Sequence, residues 1–316
     1  MAADEMLRVG VVVNHGKRLG GADLEALRNA LADAGHADPP WYEVDKSKHA
    51  PPKVRSLVED HGVDRLLVWG GDGTVRRCAD TILHQGYRHQ GHRDVAIGVL
   101  PAGTGNVLAA TLGIPEHLRT AVDIALHGEV RQIDVGLVND EEHFLERAGT
   151  GFDALLIRDA DDSGLKDRFG RLGYLWAGVR NRHASPAEAQ ITVDGERWFS
   201  GPTPCVIAGN VGGLLGGITA FPDASPTDGR LDVGVVEANS SWEWARLVGA
   251  VVAHRIHESP LARTTTAETM VVEFDRTVLW QVDGGDRERT DRFEIRCLPA
   301  AISICQPRRA LDDATA

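Results

Sequence analysis

The chain has 316 residues, 42% of them hydrophobic, which is more apolar material than one small core needs and enough for two domains. Its 46 acidic side chains outnumber 34 basic ones for a formal net charge of -12, which disfavours broad attraction to nucleic acid. Four scattered cysteines, Cys78, Cys205, Cys297 and Cys305, contain no Cys-x-x-Cys pair, which argues against a structural zinc site or a disulfide framework, and free buried thiols are expected.

No stretch is long and apolar enough to span a bilayer, and Asp4 and Glu5 stand where a signal peptide would carry Lys or Arg, so a cytoplasmic chain is expected. Leu7 to Val13 is a short β-branched run closed by Asn14-His15-Gly16-Lys17, and Ala22 to Ala34 follows with Leu24, Leu27 and Leu31 at helical spacing. Gly35 caps that helix, Trp41 to Val44 reads as a strand, and Pro51-Pro52 opens a helix through Val54, Leu57 and Val58. A strand over 65–69, a glycine turn, a helix from Val75 to Gln85 and a strand from Val95 to Leu100 continue the alternation. Strands and helices alternating at this spacing predict a parallel sheet with helices on both faces, whose ligands sit beyond the carboxyl ends of the strands.

Two turns fall at such ends. Leu66-Leu67-Val68-Trp69 empties into Gly70-Gly71-Asp72-Gly73-Thr74, and the strand to Leu100 empties into Pro101-Ala102-Gly103-Thr104-Gly105-Asn106 before the apolar segment Val107 to Leu112. Glycine lets backbone N–H groups approach a phosphate, and the start of a helix adds unpaired donors. Neither turn closes with Gly-Lys-Ser/Thr, so this is not the Walker arrangement. Alone, the first turn reads about equally well as a tight strand-to-helix connection; the second shifts that balance.

In order and spacing these turns resemble the diacylglycerol kinase catalytic domain family, which includes bacterial lipid kinases and the sphingosine and ceramide kinases. The resemblance extends through Gly151-Phe152-Asp153-Ala154, Leu165-Lys166 with Gly170 and Gly173-Tyr174, and Asn210 with Gly212-Gly213. It continues through Pro222-Asp223-Ala224, Asp228-Gly229-Arg230-Leu231-Asp232-Val233 and Gln281-Val282-Asp283-Gly284. It implies an α/β nucleotide-binding domain of the NAD kinase and diacylglycerol kinase type over 1–132. A mainly antiparallel β-sandwich domain for the lipid follows over 133–306, then a polar tail over 307–316.

The residues after Arg131-Gln132-Ile133-Asp134 agree with that second domain. Short strand-like runs follow at Phe144 to Glu146, Gln190 to Val193, Cys205 to Ala208, Leu231 to Val236, Met270 to Phe274 and Phe293 to Cys297. Asp194-Gly195 is a hairpin signal, because that dipeptide tolerates positive φ. Trp242 to His257 interrupts with Trp242, Ala245, Val248, Val252 and Ile256 at helical spacing and is expected to pack on the second domain, a membrane-facing role for Trp242 and Trp244 being the lesser reading.

The resemblance implies transfer of the γ-phosphoryl group of ATP to a lipid hydroxyl, of diacylglycerol, another neutral lipid alcohol or a sphingoid base, with Mg2+. The chain would be cytoplasmic, visit the inner face of the membrane as a peripheral protein, and pair as a homodimer as members often do. Gly70, Gly71, Asp72, Gly73 and Thr74 with Gly103 and Thr104 would cradle the nucleotide, Asn14 standing near it. Asp72, the one fixed charge of the cradle, would act through metal or water near the phosphates. Asp228 matches the aspartate through which bacterial members bind magnesium, with backbone oxygens near Ser225 and Arg230 as co-ligands; an Asp-Gly turn without an ion predicts the same dipeptide.

Two positions depart from the family, each by loss of an acid. The residue three after the Thr of the first motif is commonly glutamate and here is Arg77; the Asp-Gly pair near the end is commonly followed by a glutamate proposed as the base, and here Gly285 follows. Asp283 and Asp286 are the neighbouring candidates for that role, Gly284-Gly285 being a hinge that would let Asp286 swing in, and Arg77 is a candidate phosphate ligand. His84, His89 and His92 read as solvated loop histidines, Asp159 to Asp162 as a solvated turn, and Ser163 and Ser185 lack a nucleophile elbow. Three functions therefore stay open: an ATP-dependent lipid kinase, a degenerate member that binds nucleotide or lipid without transfer, and a kinase of a soluble acceptor such as NAD.

Overall fold

The computed structural model describes residues 7–16, 21–86, 94–151, 186–214, 218–238, 240–252 and 255–308. The motif residues 152–154, 165–166, 170 and 173–174 lie outside the described residues, as do His89, His92, Asp159 to Asp162, Ser163, Ser185 and the tail beyond 308. The chain divides into two compact units, one running to Ile133 and resuming at Ala301, the other taking Asp134–Ala300.

In the first unit β1 (Val9–Asn14), β2 (Trp41–Val44), β3 (Arg65–Gly70) and β4 (Ala96–Pro101) pair in parallel in the order β4-β3-β1-β2. Every residue of β3 and β4 is buried, which is why both read as unbroken apolar runs and not as alternating ones. The one charge among them, Arg65, spends its Nη1 on the Ala125 carbonyl at 2.6 Å and the Cys305 sulfur at 3.0 Å. Helix α1 (Gly21–Asp33) buries Leu27 and Leu31, and α2 (Ala50–Glu59) buries Val54, Leu57 and Val58, with proline in its first turn.

Helix α3 (Asp72–Gln85) starts three residues before the expected Val75 and takes in His84, which faces Asp80 one turn earlier instead of lying in a loop. The early start follows from Gly71, whose extended backbone places its carbonyl to accept from both Thr74 N and Val75 N. After the single turn α4 (Val107–Thr111) comes a helix the sequence reading passed over, α5 (Leu118–His127). Ala121, Val122, Ala125 and Leu126 give it a buried face at helical spacing, and a Cβ on Gly98 would stand 2.5 Å from that of Ala125, so α5 lies hard against β4.

Strand β5 (Glu129–Val138) leads into the second unit, where β6 (Glu142–Phe144), β7 (Arg147–Gly151), β8 (Ala187–Val193), β9 (Glu196–Thr203) and β10 (Cys205–Gly209) follow. A small ribbon of β11 (Gly213–Leu214) and β12 (Ile218–Thr219) precedes β13 (Leu231–Val236), β14 (Ala262–Ala267), β15 (Thr269–Val282) and β16 (Gly285–Gln306). The pairings here are antiparallel, and Phe144, Ile191, Val206, Val233, Val272 and Phe293 share one core. The Arg263 guanidinium of β14 lies over the rings of Trp198 and Phe199 of β9, at 5.9 and 5.8 Å, so these two strands touch through their side chains.

Two of the Asp-Gly dipeptides make two-residue hairpins with positive φ at each position: 49° and 84° at Asp194-Gly195, 44° and 74° at Asp283-Gly284. The expected strand Phe144 to Glu146 is instead Glu142–Phe144, because the N–H groups of Leu145 and Glu146 turn to the Asp283 carboxylate. Helix α6 (Ser241–Val252) stops short of His257: Arg255 N reaches back to Ala250 O at 2.8 Å and a separate turn forms over Ile256–Glu258.

Residues from Ala301 return to the first unit, where Ile304 pairs in parallel with Ile97 of β4 and Ser303 Oγ donates to Asp94 at 2.7 Å.

Candidate functional site

In the first unit the two turns expected to make a cradle lie at the tips of β3 and β4, bonded to each other by Ala102 N donating to Gly70 O at 3.0 Å. The glycines there do different jobs. A Cβ on Gly103 would stand 2.5 Å from Gly71 Cα, and one on Gly71 would stand 2.9 Å from Gly103 Cα, so the two turns touch backbone to backbone. A Cβ on Gly70 would press on Thr74 at 3.0 Å. Around Gly73 nothing lies within 4 Å, and its φ is not left-handed, so neither packing nor backbone requires glycine there.

Asn14 joins this assembly by donating from Nδ2 to Thr74 Oγ1 at 2.7 Å, while its Oδ1 accepts from Gly16 N at 3.2 Å. Thr74 is thereby buried and its hydroxyl engaged, and Asp72 stands partly exposed as the first residue of α3. The second turn is locked by Asn106, in the left-handed region at φ 47°, whose Oδ1 accepts from Gly103 N at 2.8 Å and whose Nδ2 donates to Glu116 at 2.7 Å. The Gly103 N–H is thus engaged within the protein, while Thr104 and Gly105 remain exposed at the tip. What the cradle offers an anion is the start of α3, where helical geometry leaves the N–H groups of Asp72 and Gly73 without carbonyl partners. Arg77 lies partly buried on the next turn of α3.

In the second unit Asp283 is not placed as a base. Its carboxylate is buried and accepts three backbone N–H groups, from Leu145 at 2.8 Å, Glu146 at 3.0 Å and Arg147 at 2.8 Å, and its own N–H returns to Arg147 O at 2.9 Å. Asp283 is an anchor. Nor does Gly285 act as a hinge for Asp286: it pairs with Val282, and only Asp283 and Gly284 of the turn are left-handed. Asp286 faces solvent. The space beside Gly285 is taken by Arg287, whose Nη1 would meet a Cβ there at 2.9 Å and donates to the carbonyls of Gly285 and Asp286, both at 2.8 Å. The same guanidinium grips Glu142 through Nε at 2.6 Å and through Nη2. Sequence reasoning missed this pair, whose partners are far apart in the chain.

Farther along, Asp223, Asp228 and Asp232 converge. Burial first, then the Asp228 and Asp223 carboxylates, push the Asp232 carboxyl up to about 6. Asp228 Oδ1 accepts from Arg230 N at 3.0 Å, and fully buried Asp134 pins the loop by accepting from Gly229 N at 2.7 Å and Ala300 N at 2.8 Å. The Arg230 side chain turns to Asp194 at 2.6 Å and Glu268 at 3.0 Å, leaving only its backbone for the expected cation site. Ser225 Oγ meets Thr227 Oγ1 at 3.1 Å, so its backbone oxygen is likewise the group it could contribute.

Compared with known proteins, residues 8–138 match the model of the diacylglycerol kinase catalytic domain, and residues 147–306 that of the YegS C-terminal NAD kinase beta sandwich-like domain. The chain belongs to the diacylglycerol kinase catalytic domain family. A relative is the diacylglycerol kinase of Mycobacterium tuberculosis, 28% identical over 295 residues that cover 91% of this chain and 92% of that one. The fold is that of a diacylglycerol kinase structure from Bacillus anthracis, at 21% identity and a TM-score of 0.69 over 96% of this chain and 97% of that one. It is shared more distantly by an NAD kinase from Archaeoglobus fulgidus solved with ATP, at 13% identity and a TM-score of 0.53 over 94% and 93%. Membership of this lipid kinase family fixes the two-part architecture, an α/β domain followed by a β-sandwich.

Proposed function

We propose that this family member is an ATP-dependent lipid kinase, which moves the γ-phosphoryl group of ATP to the hydroxyl of a diacylglycerol-like or sphingoid lipid at the inner face of the membrane. The observation that carries the reading is Gly73. Three of the turn glycines, Gly70, Gly71 and Gly103, are accounted for by protein contacts, but Gly73 has open space before it at the first turn of a 14-residue helix. A ligand that approaches the backbone closely accounts for its missing side chain, and the adjoining N–H groups and helix dipole select an anion.

In this reading the N–H groups of Asp72 and Gly73 hold the polyphosphate and Asn14 fixes Thr74 behind them. The Asp72 carboxylate would hold the nucleotide's Mg2+, which when bound neutralises charge developing on the transferred group. Transfer to magnesium-loaded ATP is expected in the parent with a lipid acceptor, and Asp72→Ala is expected to lower kcat by roughly 10²-fold with an unchanged thermal midpoint. Labelled ATP and extracted lipid give the rate. An Asp72→Ala protein as active as the parent would remove the proposal.

The convergent Asp223, Asp228 and Asp232 fit a second Mg2+ with a structural part, since three carboxyl groups close enough to act on one another, beside exposed backbone oxygens, are the oxygen ligands such an ion takes. Here Asp228 and backbone oxygens near Ser225 and Arg230 would supply the ligands. Millimolar Mg2+ is expected to raise the melting temperature relative to chelator, a ligand at about 100 times its Kd giving about 2.7 kcal/mol, and Asp228→Asn to cancel the rise.

A degenerate member that binds ATP without transfer is the second reading, favoured by Asp283 being spent as an anchor and by the Arg287–Glu142 pair filling the place beside Gly285. Asp286 is the carboxylate still open to solvent. Loss of transfer in Asp286→Ala supports it as the base; a parent that binds ATP yet labels no lipid selects the degenerate reading.

A further inference from the structure

Among the described residues, Trp242 and Val130 are the large apolar side chains left exposed, and Trp242 is 72% exposed at the start of α6. With about 100° per residue, Trp242, Arg246 and Gly249 fall within one stripe of about 60° along the helix, and all three are exposed. A Cβ on Gly249 would meet nothing within 4 Å, so the stripe stays flat and open. Leu247 points away from it and is buried with Ala238 and Leu261.

The charges of this region are sorted in the same direction. The helix has one acid, Glu243, and its carboxylate is turned back into a capping box, accepting from Ser240 N at 2.8 Å and Ser240 Oγ at 2.9 Å. In the neighbouring segments Glu258 is taken by Arg255 and Glu237 by Arg263. The open stripe therefore presents an indole and the Arg246 guanidinium with no carboxylate, on a chain whose net charge is -12.

We infer that the Trp242–Arg246 stripe of α6 is the surface by which the protein docks on an anionic lipid bilayer. This rests on the lipid-kinase reading, which requires the chain to meet an acceptor dissolved in a membrane. Among the described residues no helix is long and apolar enough to cross one, so the meeting is at the surface. An indole belongs at the headgroup level, where its apolar body is covered and its N–H stays wet. A guanidinium one turn away is drawn to the negative surface potential of anionic lipid. A twofold contact between two copies of the same stripe would instead bring like charges together. One indole and one cation give a reversible visit.

The test is sedimentation of the full chain with vesicles of phosphatidylcholine alone or mixed with phosphatidylglycerol. Trp242→Ser is expected to lower partitioning about tenfold on both, from the apolar area an indole covers. Arg246→Gln is expected to lower it about fivefold on the mixed vesicles and to leave the neutral ones unchanged. Equal melting temperatures establish that the variants are folded. A parent that does not sediment with the mixed vesicles, variants that sediment like the parent, or a dimer seen by light scattering that Trp242→Ser dissolves without an effect on vesicle binding would each overturn the inference. A short-chain diacylglycerol below its micelle concentration separates the two readings. Equal transfer to it by parent and variants supports docking as distinct from catalysis, whereas no transfer by any of them strikes the kinase reading and leaves the vesicle result standing.

Discussion

Gly103→Ala will lower the melting temperature by roughly 5–10 °C, while Gly73→Ala will leave it nearly unchanged and abolish tight ATP binding. The new methyl of the first variant would lie 2.5 Å from Gly71 Cα, a backbone atom fixed by the pairing of β3 with β4, so relief requires the strand tips to part. Overpacking of that kind costs about 1–3 kcal/mol. The methyl of the second variant has empty space, and alanine favours a helix by up to about 1 kcal/mol over glycine. If the space is the phosphate site, the methyl displaces a charge-assisted hydrogen bond of about 1.5–3 kcal/mol, and ATP binds roughly tenfold to hundredfold more weakly. Calorimetry with ATP alongside thermal melts reads both effects, and a Gly73→Ala protein that binds ATP as the parent does would show that the open space is idle.

Asp283→Ala is expected to be the most destabilising single change at either site. It strands three buried N–H donors at about 1–3 kcal/mol each, against a total stability of about 5–15 kcal/mol, and puts alanine at φ 44°. Asp283→Asn keeps one acceptor oxygen and a side chain that tolerates the left-handed region, so about half the loss is expected. Urea unfolding measures both. If Asp283 is an anchor, activity falls in step with the folded fraction; an Asn variant that is stable and inert would restore it as a candidate base. Asp286→Asn, on the exposed side of the same hairpin, should stay within about 0.5 kcal/mol of the parent.

The parallel sheet was legible because its inner strands are buried on both faces, so Val9 to Val13 and Leu66 to Trp69 read as unbroken apolar runs stopped by turn residues. Helix α5 was equally written, in Ala121, Val122, Ala125 and Leu126, and was passed over beside the more conspicuous glycine turns. The lengths of β15 and β16 were not legible, since both carry exposed stretches in which no face is selected for apolarity. At the site, sequence named the glycine turns but could not apportion them, because packing between Gly71 and Gly103 and an opening at Gly73 leave the same letter. The fate of Asp283 was hidden for another reason: the donors it holds stand 136 to 138 residues away, and only the fold brings them together.

The return of the chain from Ala301 has a consequence for how the protein is made. Arg65 in β3 donates to Cys305, and Ile304 lies against β4, so the first unit lacks an inner piece of its sheet until Ile304 and Cys305 have left the ribosome. Until then β4 shows an unpaired edge of apolar strand, a template for pairing with other nascent chains. Contacts that span the interval from Arg65 to Cys305 also make closure slow. A recombinant fragment ending near Ile133 would carry every glycine of the cradle and yet be prone to aggregate, and supplying 301–306 as a tethered strand would be the way to make it soluble.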